Sequence, residues 1–280
     1  MIAITAVIAS CSLSENPTSF SRFEDFYRTE AQCKSAVNSC YIPILDIYTS
    51  TFLIITDACT DLAFMGSTDQ NAKFNVSPSN PQFGTTIWSE GYRGIMYCNA
   101  AIEGIKGSPV GDGVRLPLLA DCVTMRAMYY YILTSTFGDV PFYTEAVTNI
   151  DVLDAVASLG RMDAAATRDY LINELESYLG YLPHKRACDV ADNRTTAPFA
   201  YMLIAKLAMW NKDFETASEA LLEIRSIYGN LDPGKYPLED IMASHRNSDE
   251  SIFEIQRAYS PTGIKKTTNM VVIKSLLSPP

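Results

Sequence analysis

The chain has 280 residues, 48% of them hydrophobic and 19% charged, a balance that supports a buried core and excludes a disordered chain. Its formal net charge of −10, with Lys185-Arg186 and Lys265-Lys266 as pairs rather than patches, argues against nucleic acid as a partner, because phosphate binding needs clustered basic residues. Seven cysteines without a CxxC pair, and only two histidines, indicate neither a zinc site nor a dense disulfide framework.

Residues 1–10, MIAITAVIAS, form an uncharged apolar run. The run is too short to span a bilayer as a helix but has the length of a signal-peptide apolar core. Ile8-Ala9-Ser10-Cys11 resembles a bacterial lipobox, which makes Cys11 a candidate lipidated N-terminus, and Ser12-Leu13-Ser14-Glu15-Asn16-Pro17 reads as a polar tether. No positive charge precedes the run, and the alternative reading is an ordinary buried N-terminal segment.

Thr29 and Gln32 predict a capping box, followed by Cys33, Val37, Cys40 and Tyr41 at helical spacing. The apolar stretch 42–55 continues this packing, with a break expected near Pro43. Residues 60–83 are rich in Gly, Ser, Asn, Asp and Pro and predict a long loop of the kind that often carries function. A helix is expected over 86–105, with Trp88, Tyr92, Ile95 and Asn99 near one face. Another is expected over 116–137, stopped by Gly138-Asp139-Val140-Pro141 because glycine can cap it and proline cannot continue it.

A spacer of small residues leads to a fourth helix over 164–182, lined by Ile172, Leu175, Leu179 and Leu182. Residues 195–228 predict two close antiparallel helices around the turn Asn211-Lys212-Asp213. Ala200, Leu203, Ala205 and Leu207 face Phe214, Ala217, Leu221 and Ile224, a unit similar to a tetratricopeptide repeat. Near-alternation over 250–256 predicts a strand. Cys33, Cys40, Cys98 and Cys122 are expected to be buried small hydrophobes, and Trp88, Tyr92, Tyr129, Tyr130 and Trp210 to be core aromatics. The fold class is therefore mostly all-α: a tetratricopeptide-like helix-pair superhelix with long loops and a little β near the C-terminal end. Three regions are expected, with a signal remnant and tether over 1–16, the helical scaffold over 17–230 and the start of an incomplete C-terminal subdomain over 231–280.

No GxSxG elbow, P-loop, HExxH or dinucleotide GxGxxG is present, and nothing asks for a metal or cofactor. Asp57 and Asp61 are close in sequence but read as a helix end and loop start rather than as a glycosidase pair. Asn75-Val76-Ser77 and Asn193-Arg194-Thr195 match the glycosylation pattern and carry little weight. The 60–83 loop sets Phe64, Phe74 and Phe83 among Asp69, Gln70, Asn71 and Asn80. Aromatic faces beside amides and carboxylates are what a neutral sugar needs, so Phe64 and Phe74 are the candidate ligand contacts. The alternative is that these rings anchor the loop to the core.

Taken in order, several segments resemble the N-terminal and middle parts of the SusD/RagB family of outer-membrane nutrient-binding lipoproteins. They are the lipobox-like Cys11, Ala36-Val37-Asn38-Ser39-Cys40-Tyr41, Trp88-x3-Tyr92-Arg93-Gly94-Ile95-x3-Asn99, Arg126-Ala127-Met128-Tyr129-Tyr130-Tyr131, Phe137-Gly138-Asp139-Val140-Pro141, the helix pair around Ala200 to Ala217, and Glu250-Ser251-Ile252-Phe253-Glu254-Ile255. The resemblance implies a non-catalytic lipoprotein at the bacterial outer-membrane surface that binds a glycan or, in some branches, a peptide. It also implies a SusC-like TonB-dependent transporter as partner and Phe64 as the nearest match to a sugar-stacking aromatic. Family members are roughly twice this length. A tetratricopeptide scaffold that binds only proteins is the rival from another class.

Overall fold

Thr29 starts the first helix as its sequence requires. Its hydroxyl accepts from the Gln32 amide, and the Gln32 side chain accepts from the Thr29 backbone N–H, so two donors left free at a helix start are satisfied reciprocally. The structure, a computed structural model, describes residues 26–48, 77–79, 81, 84–190, 194–230 and 248–255. This first helix, α1 (Glu30–Ser39), buries Cys33, Ala36 and Val37 along the one stripe that helical spacing creates. In α2 (Ile42–Asp46), Pro43 sits in the first turn, where its missing N–H has no helical partner to lose. The proline opens this helix instead of interrupting it.

The centre of the molecule is the hairpin of α3 (Gly84–Lys106) and α4 (Asp112–Phe137). Every residue of α4 from 118 to 134 except Tyr131 is buried, as expected of a helix that is apolar on all sides. It ends at Gly138, whose φ of 70° falls in the region that side-chain-bearing residues avoid. The expected spacer contains α5 (Ile150–Ala157), started by Asn149 accepting from Val152 N at 3.0 Å. None of its eight residues is buried, although Ile150, Leu153 and Val156 recur at helical spacing.

Next come α6 (Ala164–Tyr178), which tightens into a 3-10 turn at Leu179–Tyr181, and the pair α7 (Ala197–Trp210) and α8 (Phe214–Tyr228). Helices α1 and α2 pack on α3, α3 on α4, α4 on α6, α6 on α7 and α7 on α8. Each element mainly meets its neighbours in the chain, which is the signature of stacked helix pairs. Across the α7–α8 turn, Lys212 adopts φ 61°, and Asp213 caps α8 by accepting from Thr216 N at 3.1 Å.

Three expectations need correction. Ala200, Leu203, Ala205, Leu207, Ala217 and Ile224 are buried as expected, but Phe214 is 67% and Leu221 40% exposed. The face of α8 that meets α7 is carried by Ala217, Ala220 and Ile224. Because small side chains permit the closest helix approach, they set the rotation and turn the large ones outward. Trp210 is not a core aromatic: it is 51% exposed, at the C-terminal end of α7.

The expected strand near 250–256 is not formed over the described residues 250–255. Ser251, Ile252, Phe253 and Glu254 are buried consecutively, so the alternation does not become one wet and one dry face. The Phe253 ring stacks on Phe199 at 4.0 Å between centroids, and Tyr228 Oη donates to Ser251 O at 2.8 Å. Side-chain packing and a single phenol hold this segment in place of a ladder. Elsewhere, Val140 pairs with Met162 in an isolated antiparallel bridge.

Candidate ligand-binding surface

The residues singled out for function, Cys11, Phe64 and Phe74, lie outside the described residues, as do Asp57, Asp61 and Phe83. The described residues form the helical frame on either side of this segment in the chain. At its base, Tyr129 from α4 is fully buried. Its hydroxyl donates to Cys40 O at 2.6 Å and accepts from Ile44 N at 3.0 Å, so one phenol satisfies both backbone groups where α1 hands over to α2. A Cβ on Gly94 would stand 2.3 Å from this ring, and only glycine lets α3 lie against it. Arg93, one residue earlier, reaches the half-buried Glu90 at 2.5 Å and the exposed Asp46 at 2.7 Å, the latter a surface pair that contributes little.

The motif residues turn out to be struts. Arg126, 3% exposed, donates to Asn99 Oδ1 at 2.6 Å and to Glu174 Oε1 at 2.5 Å, tying α4 to α3 and α6. Tyr130 Oη donates to Tyr143 O and accepts from Tyr143 N, both at 2.9 Å. Tyr92 Oη donates to Pro141 O at 2.8 Å. Asp139 Oδ1 accepts from Ala164 N at 2.9 Å, so the turn that stops α4 also starts α6. These residues bind the helices to one another instead of pointing at a ligand.

Sequence reasoning missed a further hub. Asp121, buried in α4, accepts from the Tyr41 hydroxyl, from Thr195 Oγ1 at 2.8 Å and from Arg194 at 3.2 Å. Arg194 also donates to Asn38 Oδ1 at 2.8 Å, joining segments 156 residues apart. Burial raises the Asp121 carboxyl above its usual range against the pull of Arg194. Burial and the Asp121 charge also push Tyr41 well above the ordinary phenol range, so Tyr41 stays protonated and donating. The available signal was a single carboxylate inside the apolar run Leu118-Leu119-Ala120-Asp121-Cys122-Val123, since a buried charge must be paired.

A groove of about 380 Å³ opens where the end of α6 meets α7 and α8, with Leu179, Ile204 and Ala220 among its lining and Glu176, Glu219 and Glu223 beside them. Apolar patches beside carboxylates suit a neutral or cationic group and repel an anionic one. Among the described residues, no three His, Cys, Asp or Glu side chains gather to hold a metal, and no helix is long and apolar enough to cross a membrane.

Residues 24–209 match the SusD-like family described as "Starch-binding associating with outer membrane". The SusD-like protein P2 of Formosa agariphila is 24% identical over 229 residues, which cover 78% of this chain and 44% of that protein. Among solved structures, a laminarin-binding SusD-like protein superposes with a TM-score of 0.68 at 21% identity, covering 82% of this chain and 51% of the other. The surface glycan-binding protein A of Bacteroides uniformis gives 0.63 at 23% identity, covering 81% and 52%. At these identities the structural likeness establishes the fold, and the chain spans about half the length of the relatives it matches.

Proposed function

We propose, from the premise that this chain belongs to the SusD-like family, that it is the helical-scaffold part of a surface lipoprotein that binds an oligosaccharide without cleaving it. In this reading the protein is held at the outer membrane by lipid on Cys11 and passes its ligand to a SusC-like TonB-dependent transporter. Residues 1–16 serve as signal remnant and tether, 17–230 as scaffold, and 231–280 begin a C-terminal subdomain. Phe64 and Phe74 supply stacking faces in the loop. The observation that carries the reading is the family match over 24–209, together with relatives named for binding laminarin and surface glycans. A pinned helical frame fits it: Tyr129 ties α4 to the α1–α2 junction, and Arg126 ties α4 to α3 and α6.

The test is calorimetry of the full-length protein against a glycan panel, with product analysis of the same mixtures. Binding without turnover is expected. Phe64→Ala should weaken binding while costing little stability. If instead it lowers stability by roughly 3–5 kcal/mol, the ring is a core anchor. Glycan turnover by the purified protein sinks the non-catalytic reading. Binding of peptides but no glycan favours the peptide-binding alternative, and no small ligand with no transporter in pull-downs favours the protein scaffold. Fatty-acid labelling of wild type but not of Cys11→Ala is expected, and equal labelling removes the anchor from the proposal.

A further inference from the structure

Trp210 ends α7 with half of its surface in water, yet it is not loose. The Arg168 guanidinium lies 5.1 Å from the ring centroid, against one face of the indole. Arg168 is itself 7% exposed. It is held from within by Thr134 O at 3.2 Å and Asn211 Oδ1 at 3.4 Å. Asn211 is fixed in turn by donating to Asp169 Oδ1 at 2.7 Å and Ala165 O at 3.0 Å. Arg168 of α6, held by Thr134 of α4 and by Asn211, thus braces one face of the indole at the end of α7.

The geometry points to Trp210 as a second carbohydrate contact, its free face stacking on the C–H face of a pyranose ring in a glycan chain, with the hydroxyls reaching the Asp169 carboxylate beside it. This rests on the glycan-binding reading above. The physical case is preorganisation: a ring already held against Arg168 loses little freedom on binding. A flat aromatic surface with a polar margin suits a sugar, which is apolar on its faces and polar around its rim. A neutral pyranose is also not repelled by a protein of net charge −10.

The chain has two tryptophans, and Trp88 packs on Tyr92 and Phe137, so Trp88→Phe in the full chain leaves Trp210 as the single indole reporter. Laminarin and maltoheptaose are the probes. The expected results are that a bound glycan shields Trp210 from acrylamide quenching, that Trp210→Ala weakens binding roughly three- to ten-fold, and that Trp210→Tyr restores most of it. Glycan binding with unchanged quenching and unchanged affinity in Trp210→Ala overturns the platform and leaves the glycan reading standing. No binding of any glycan by wild type overturns both. Shielding of Trp210 by the purified transporter but not by glycan also overturns the proposal and makes the ring a protein contact.

Discussion

The hairpins α3–α4 and α7–α8 are both short-linked helix pairs, and they reach their packing by different means. In α3–α4 the large side chains are inside. Tyr129, Tyr130, Met125, Met128 and Leu133 are fully or almost fully buried, and the Tyr129 and Tyr130 hydroxyls and the Arg126 guanidinium join neighbouring segments. In α7–α8 the outer helix buries Ala217, Ala220 and Ile224 while Phe214, Leu221 and Leu222 face outward. A central helix gains from filling volume. A peripheral helix gains from close backbone approach, and there the size of a side chain says little about its direction.

This contrast can be broken by substitution. The largest effect is expected at Arg126, where Arg126→Met strands Glu174 and Asn99 in the α3–α4–α6 joint; loss of one partner of a buried pair costs about 3–5 kcal/mol. Urea denaturation measures it, and a change under 1 kcal/mol would mean the joint is wetter than the 3% exposure of Arg126 indicates.

A smaller loss is expected at the α7–α8 seam. Ala217→Leu should force the two helices apart and cost about 1–3 kcal/mol, read as a lower denaturation midpoint at unchanged slope. An unaltered midpoint would show that the seam is loose and that small residues do not set it.

The smallest effect sharpens the same comparison from the outside. Phe214→Ser should change stability by no more than about 0.5 kcal/mol, although a phenylalanine is removed from a helix. A cost of 3 kcal/mol would place Phe214 under a covering element and restore the orientation expected from periodicity.

Much of the fold was legible. The capping box at Thr29 and Gln32, the glycine-proline stop at 138–141 and the tight turn at 211–213 are local devices, and local devices write themselves in adjacent residues. The short helix α5 was passed over as spacer although Ile150, Leu153 and Val156 recur at helical spacing, and the strand expected at 250–256 did not form over its described residues, where Phe199 and Tyr228 secure the segment. At the candidate site, Phe64, Phe74 and Cys11 stand outside the described residues. Among the described residues, Asn99 and Arg126 were noticed as motif residues, and the pairing of Arg126 with Glu174 was not.

By itself the sequence determined where the main helices lie, their order as neighbouring pairs and the family to which they belong, because caps, stops and apolar spacing act over a few residues along the chain. The tertiary structure alone decided which side of α8 faces α7, that Trp210 stands in water on the Arg168 guanidinium, and that Asp121 is the meeting point of Tyr41, Arg194 and Thr195. Those outcomes depend on contacts between residues as many as 156 positions apart. Burial, close approach and charge pairing at that range are properties of the packed whole, and no local pattern records them.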